Sequence, residues 1–354
     1  MPDCKTYKVD SAYAWVVALA SLALATVGSG VFYLVGIAIV PQATELGIAV
    51  NSASLPYGVA MLGMGIGGIF MGWFADRNGP FVPVLVGTFA IVTGSYWISV
   101  ANDFQTILIV YGLLLGTLGN AALAAPLFAN AMLWFDARRG VASAVVGSGL
   151  ALGGAIWPPV LHWWVTHYGF SSSYRSFALL ALVTMVPLCL ILRAKRPTQS
   201  LSSQPNNTDQ GAAKNLLFPP RLIVALLCIA VVGCCTSMSM PMVHLPNYVN
   251  SKGFELVDGA ILLSVLMTSS VIARIVWGFI CDHLGGLKTL FIASLMQTIG
   301  LVGIANSDGM VALYGAGIVF GIGFGGILPC YPVILREHLS PNRLGFRVGL
   351  IVLF

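Results

Sequence analysis

Charged side chains are scarce in this sequence. Only 8 % of its 354 residues are Asp, Glu, Lys or Arg, against about 25 % in an ordinary soluble domain. Hydrophobic residues make up 58 % of the chain, and the mean hydropathy is +0.90. So few charges cannot cover a water-soluble fold, so we expect lipid to cover most of the surface. The net charge of +5 is too small to indicate a nucleic-acid partner.

Short catalytic and metal-binding motifs are also missing. The chain contains no Gly-x-Ser-x-Gly, His-Glu-x-x-His or Gly-x-x-x-x-Gly-Lys segment, the patterns that carry nucleophilic, zinc and phosphate chemistry. Its seven Cys lie mostly inside apolar runs without ligand spacing, so we expect them to pack as small apolar residues. The sequence therefore predicts a protein that is not an enzyme and that has no cofactor and no metal.

Long apolar runs fill most of the chain. Ten of them approach the roughly 20 residues that a membrane-spanning helix needs, and an eleventh begins at about 345. The one long polar stretch, 197–219, is predicted to be a cytoplasmic linker. The ten runs lie near 13–40, 54–74, 81–101, 104–134, 140–165, 174–193, 220–248, 257–281, 287–305 and 310–335. They predict an all-α polytopic membrane protein with helix bundles at 1–196 and 220–354.

The distribution of basic residues predicts the orientation. With the N-terminus in the cytoplasm, 14 of the 17 Lys and Arg residues fall in cytoplasmic segments, and only Arg175 and Lys252 fall outside. This bias follows the positive-inside rule. We therefore expect a multi-pass protein of the cell membrane with a cytoplasmic N-terminus.

An internal repeat divides the chain into two halves. Residues 72–79 read GWFADRNG and residues 278–285 read GFICDHLG, at an offset of 206 residues. Two further matches support the repeat. One links the fourth and tenth runs at an offset of 203 residues, and the other links the segments that follow those runs at an offset of 205 residues. Such duplication is common in transporters that have a central site between two halves. An equal second half would end near residue 400, so we expect this chain to be truncated in helix 11.

The repeated loop is predicted to act as a gate. Its first Gly permits close helix packing, its Asp accepts hydrogen bonds from a neighbouring Arg or from a facing helix, and its last Gly permits a tight turn. Such a carboxylate can hold the cytoplasmic face closed and release it. The alternative is a plain polar loop. We assign the gating role to Gly72, Asp76, Arg77, Gly79, Arg138, Arg139, Asp282 and Gly285.

These motifs resemble a known transporter family. The 72–79 segment resembles the signature loop of the major facilitator superfamily. The segment Asp10-Ser-Ala-Tyr-Ala-Trp15-Val-Val resembles the opening of helix 1 in its monocarboxylate porter and oxalate/formate antiporter branch. The resemblance implies a major-facilitator-type fold of two pseudo-repeated six-helix bundles. It also implies alternating access for a small organic anion, coupled to a proton or a counter-anion.

Arg274 is the leading candidate for substrate binding. It is the single Lys or Arg well inside an apolar run, and none of the 12 Asp and Glu residues lies mid-span. A cation at that depth costs about 3 kcal/mol, which a bidentate carboxylate partner offsets. In the branch that the chain resembles, an Arg at this place binds the carboxylate. The alternative is that Arg274 reaches the cytoplasmic interface or bonds backbone carbonyls.

Four weaker candidates complete the predicted substrate site: Tyr33, Asn120, Tyr331 and His244. The alternative for each is a packed, hydrogen-bonded interior residue. The sequence thus favours a monomeric transporter of small mono- or dicarboxylates in the lipid bilayer. An exporter of hydrophobic or drug-like compounds is the alternative, and a non-transporting membrane sensor is a third possibility.

Overall fold

The computed structural model describes residues 8–47, 49, 52, 55–194, 219–339 and 343–353. Within these ranges the regular structure is helical and contains no β-strand, which confirms the all-α prediction. The predicted linker 197–219 lies outside the described residues except for Pro219. The first four long helices are α1 (Ala12–Leu46), α2 (Leu55–Asn78), α3 (Phe81–Val100) and α4 (Phe104–Trp134).

The fifth and sixth helices form one long segment, Arg139–Ile191, that bends at Gly169. Gly169 has φ 76° and ψ 174°, a backbone conformation that glycine adopts readily because it has no Cβ. We label residues 139–168 as α5 and residues 170–191 as α6. The sequence predicted a wider break between 165 and 174, because residues 166–173 read THYGFSSS and are mostly polar.

The remaining helices follow the predicted runs closely. Among the described residues, nine segments are long and apolar enough to span a membrane, with α5 and α6 counted together. The final helix is shorter and begins where the eleventh run was predicted. The five helices are α7 (Pro220–Ser251), α8 (Leu256–Leu284), α9 (Gly286–Asn306), α10 (Met310–His338) and α11 (Leu344–Leu353).

Helix α4 contains an unusual middle segment. Its residues Val110–Asn120 form a π-helix between two α-helical parts. Thr117 Oγ1 donates to the Gly112 carbonyl at 2.8 Å, and Asn120 Nδ2 donates to the Leu115 carbonyl at 3.2 Å. Both bonds span five residues, so polar side chains satisfy carbonyls in the widened turns. Segments of this kind occur frequently at functional sites.

The chain forms two compact units whose boundaries differ from the halves of the repeat. The first unit contains α1 to α4, residues 146–194 and α11. The second contains residues 136–145 and α7 to α10. Thus the start of α5 belongs to the second unit, and α11 belongs to the first. The domain boundaries expected from the repeat, 1–196 and 220–354, stay a prediction.

Helices α2 and α11 approach each other through glycine within the first unit. Gly68 and Gly72 are four residues apart on α2, as are Gly345 and Gly349 on α11. A Cβ on Gly72 would overlap the carbonyl oxygen of Gly345, and one on Gly349 would overlap the carbonyl oxygen of Gly68. The small-xxx-small spacing therefore allows backbone-to-backbone packing, as between helices in membranes.

The interior of the second unit is apolar near the end of α7 and the start of α8. Seven buried side chains from α7 to α10 pack together there, and Phe320 is the largest of them. A salt bridge of 3.0 Å between Lys252 and Asp308 lies nearby on the surface. The seven residues are Leu245, Val249, Leu262, Leu266, Ile304, Leu313 and Phe320.

Substitution of Gly72 tests the packing of α2 on α11. We expect Gly72→Ala to lower the apparent melting temperature of the purified protein, because the added methyl meets backbone and overpacking costs about 1–3 kcal/mol. Gly58→Ala on the same helix is the matched control, since a Cβ there has nothing within 4 Å. Differential scanning fluorimetry in detergent measures both. Equal melting temperatures for the two variants would contradict the close approach.

Candidate functional site

Asp76 caps a helix other than its own. It lies at the end of α2, and its Oδ1 accepts from Gly345 N at 2.8 Å while its Oδ2 accepts from Phe346 N at 2.9 Å. Both donors belong to the first turn of α11, where backbone N–H groups have no partner within the helix. The negative charge also interacts favourably with the positive end of the helix dipole. Asp76 is therefore a bidentate cap for α11.

Asp282 forms the same arrangement in the second unit. It lies at the end of α8, and its carboxylate accepts from Gly140 N and from Val141 N, the latter at 3.2 Å. A Cβ on Gly140 would overlap the carbonyl oxygen of Gly278, and one on Gly278 would lie 2.9 Å from the Ala144 Cβ. The repeat in the sequence is thus also a repeat of contacts.

In each cap, the carboxylate and the helix that it caps come from different halves of the sequence. Asp76, from the first half, holds the first turn of α11, whereas Asp282, from the second half, holds the first turn of α5. Each cap lies within one compact unit. This pairing across the halves explains why the units and the halves of the repeat have different boundaries.

The other residues of the predicted gate have simpler roles. Gly79 and Gly285 end the two motifs at φ 81° and φ 82°, so both occupy the left-handed region that costs other residues about 1–2 kcal/mol. The Arg77 guanidinium lies 4.1 Å from the centre of the Trp73 ring, a cation–π geometry. The gating role itself stays a prediction.

The two arginines after α4 differ in their surroundings. Arg139 forms an ion pair with Asp136 one turn earlier. Arg138 is exposed, and its backbone carbonyl accepts from Ala142 N at 3.0 Å. Both lie beside Gly140, so they flank the segment that Asp282 holds.

A third carboxylate cap breaks the symmetry of the repeat. Glu337, in the last turn of α10, accepts from Gly286 N at 3.0 and 3.2 Å at the start of α9. In the first half, Pro80 stands in place of Gly286 at an offset of 206, and a proline has no N–H to donate. Trp134 stands in place of Glu337 at an offset of 203. Sequence reasoning missed Glu337, although the Pro-for-Gly difference between the repeats was a readable signal.

Two of the predicted substrate contacts lie in the first unit. Tyr33 donates its hydroxyl to the Leu150 carbonyl at 3.4 Å. Asn120 and Leu150 line a small cleft with an accessible volume of about 10 Å³, room for about one water molecule. The structure thus places Asn120 at the cleft and Tyr33 against a neighbouring backbone. The other lining residues are Ala25, Met64, Leu123, Ala124, Phe128 and Val146.

The other three predicted contacts lie in the second unit. Arg274 on α8 is 5 % exposed and Tyr331 on α10 is 4 % exposed. Gly325 of α10 packs on the α8 backbone, where its Cβ would lie 3.2 Å from Arg274 N. His244 is exposed, and α7 is helical on both sides of it. The structure therefore buries the guanidinium, which is costly unless it is paired, and leaves the imidazole on the surface.

Two helical units with long apolar helices and repeated carboxylate caps are typical of a polytopic membrane protein. A family model described as Major Facilitator Superfamily matches residues 14–354, and the chain belongs to this family. This confirms the family predicted from the 72–79 motif. The structure of the proton:xylose symporter XylE, bound to 6-bromo-6-deoxy-D-glucose, has the same fold. It aligns with a TM-score of 0.76 over 97 % of this chain and 86 % of that one, at 13 % identity.

Several fungal proteins are similar in sequence. The MFS-type transporter pynF of Aspergillus niger is 26 % identical over 82 % of this chain and 65 % of its own length. The agnestins efflux protein AgnL12 of Paecilomyces divaricatus is 24 % identical, with 80 % and 63 % covered. The fujikurins efflux protein of Gibberella fujikuroi is 26 % identical, with 81 % and 60 % covered. The chain thus spans less than two thirds of each of these relatives.

Cys281 reports on the cap formed by Asp282. Cys281 is 1 % exposed, and a Cβ on Gly140 would lie 2.8 Å from its Cβ. We expect Asp282→Ala to release the start of α5 and to speed the reaction of Cys281 with N-ethylmaleimide, measured by peptide mass spectrometry. Asp76→Ala is the matched control, because it opens the equivalent cap in the other unit. Unchanged Cys281 reactivity in Asp282→Ala would show that the cap does not hold this segment.

Proposed function

We propose that this chain exports small, largely apolar organic compounds from the cell. The observation that carries the proposal is its similarity to two relatives named as efflux proteins, over four fifths of its length. The family membership supports transport as the activity. Because the chain spans under two thirds of those relatives, export is proposed for the protein to which these residues belong.

The small cleft in the first unit has a lining whose chemistry suits such a substrate. Seven of its eight lining residues are apolar and the eighth is Asn120. Ligand sites for organic molecules combine an apolar wall with a few polar groups that set orientation. A charged substrate finds no counter-ion among these eight side chains, whereas an apolar one is matched by them.

The carboxylate caps supply the gating part of the proposal. Each cap uses two hydrogen bonds to a charged acceptor, which contribute about 1.5–3 kcal/mol each. We infer that transport by alternating access breaks and re-forms these caps. With 14 of 17 basic residues on the same side, we also infer that the caps and the N-terminus face the cytoplasm.

An efflux measurement tests the main proposal. We expect yeast cells that lack their own drug exporters, and that express this protein, to retain less Nile red than cells with the Asp76→Ala, Asp282→Ala double variant. Nile red is neutral and apolar. The cationic dye rhodamine 6G serves as the comparison, because the apolar runs of the sequence contain no mid-span Asp or Glu that could pair with a cation. Equal retention of Nile red in both strains would refute export of apolar compounds.

A second candidate is the transport of a small mono- or dicarboxylate. The specific observation in its favour is Arg274, a guanidinium that is 5 % exposed within α8. An anionic group on a substrate would pair with this charge through two parallel hydrogen bonds. A proton or a counter-anion would then drive transport, with the protein acting as a monomer. This was the first expectation from the sequence, and the efflux relatives favour it less.

Arg274 separates the two candidates. If it binds a carboxylate, Arg274→Met should abolish uptake of radiolabelled benzoate into inside-out vesicles, and Arg274→Lys should raise KM about tenfold because one charged hydrogen bond is lost. Both variants should still export Nile red. Melting temperatures show whether each variant folds. Benzoate uptake that is absent from the wild type, or unaffected in Arg274→Met, would leave apolar export as the surviving function.

A further inference from the structure

The second unit contains a partly buried polar cluster that sequence reasoning missed. Gln297 on α9 is 3 % exposed, and its Nε2 donates to Ser237 Oγ of α7 at 3.1 Å. The Cys234 thiol, one turn earlier on α7, lies 3.9 Å from Gln297 Oε1. Both ends of the carboxamide thus contact α7. No periodic pattern marks Gln297, which lies in an apolar run beside the small polar residues Ser294 and Thr298.

Tyr331 extends this cluster to a third helix. It is 4 % exposed on α10, and its hydroxyl interacts with the Cys234 thiol. The cluster therefore runs from Ser237 through Gln297 and Cys234 to Tyr331. Three helices of one unit meet at these four side chains.

The first half of the repeat has no such cluster. An offset of 206 places Ile91 at the position of Gln297, and an offset of 203 places Phe128 at that of Tyr331. Ile91 is fully buried, and Phe128 lines the apolar cleft of the first unit. Polar groups therefore replace apolar ones in only one of two duplicated bundles. Burying a polar group costs about 1–3 kcal/mol unless it is hydrogen-bonded, so packing alone favours the apolar pair.

The thiol is a weak partner for the tyrosine hydroxyl. A Cys thiol is both a poor donor and a poor acceptor, whereas a carbonyl or hydroxyl oxygen is a good acceptor. A substrate oxygen that reaches Tyr331 would therefore outcompete Cys234 for its proton. Tyr331 corresponds to Phe128, which lines the cleft of the first unit. A substrate at the equivalent place in the second unit would reach the Tyr331 hydroxyl.

We propose that the Tyr331 hydroxyl selects apolar substrates that carry a carbonyl or hydroxyl oxygen, and that Gln297 is a positioning residue acting through Cys234. This inference rests on the proposed export function and narrows its substrate class. Tyr331 contacts the substrate oxygen, whereas Gln297 holds the thiol against which the hydroxyl rests in the empty site.

The test uses two neutral fluorescent probes that differ by one oxygen, 1-pyrenemethanol and 1-methylpyrene. In the efflux assay, Tyr331→Phe should raise KM for the alcohol by about 3- to 10-fold, the value of one ordinary hydrogen bond. KM for 1-methylpyrene should not change. Gln297→Leu should change the ratio of the two KM values by a smaller factor than Tyr331→Phe does. The double variant should match Tyr331→Phe alone, because residues that act through one another are not additive.

Cys234 and Cys235 provide a matched pair of variants. Cys234→Ser introduces a stronger hydrogen-bonding partner for Tyr331 and should raise KM for the alcohol only. Cys235→Ser changes the exposed neighbouring residue and should leave both probes unaffected. Equal losses for the two probes, or additive effects in the double variant, would show a purely structural cluster and overturn the proposal.

A binding measurement separates this proposal from the export function. Energy transfer from tryptophan to pyrene in the purified protein reports equilibrium affinity for each probe without transport. Preference for the alcohol that disappears in Tyr331→Phe supports the selection site, even if no probe is exported. Equal affinity of the wild type for both probes overturns it, whatever the efflux assay shows.

Discussion

A short carboxylate placed on the first turn of another helix is the interaction on which this fold depends. In a membrane, apolar burial gives no preference for one helix partner over another, because lipid is equally apolar. Partner choice then depends on close packing and on polar contacts. Asp76 and Asp282 supply those contacts by accepting N–H groups that have no partner within their own helix. They decide that α2 meets α11 and that α8 meets α5.

The spacing of the motif follows from this contact. Gly72 precedes Asp76 by four residues, about one helical turn, and Gly278 precedes Asp282 by the same distance. The glycine brings the two backbones together, and the carboxylate one turn later then reaches the facing N–H groups. Asp is short enough to remain at this crossing, and its two oxygens serve two donors. Gly and Asp therefore act as a unit, which explains why they recur together at an offset of 206 residues.

The sequence predicted the helices well, because length and hydropathy determine what spans a bilayer. It also predicted the turns at Gly79 and Gly285, where a positive φ has a direct residue signature. It did not identify α11 as the partner of Asp76, since a repeat does not say which helix lies opposite. The π-helical part of α4 was also missed, because its carbonyls are satisfied by Thr117 and Asn120 through bonds specific to the folded chain.

Duplication gives two bundles of one design, and their differences show where recognition can reside. The position of Arg274 corresponds, at an offset of 206, to Gly68. A Cβ on Gly68 would lie in ordinary contact with α11, 3.5 Å from the carbonyl oxygen of Gly349. At these matched positions only the second unit has a buried cation, and Tyr331 and Gln297 show the same difference between the units. The first unit contains a small apolar cleft, whereas the second contains the polar groups that we propose to distinguish one substrate from another.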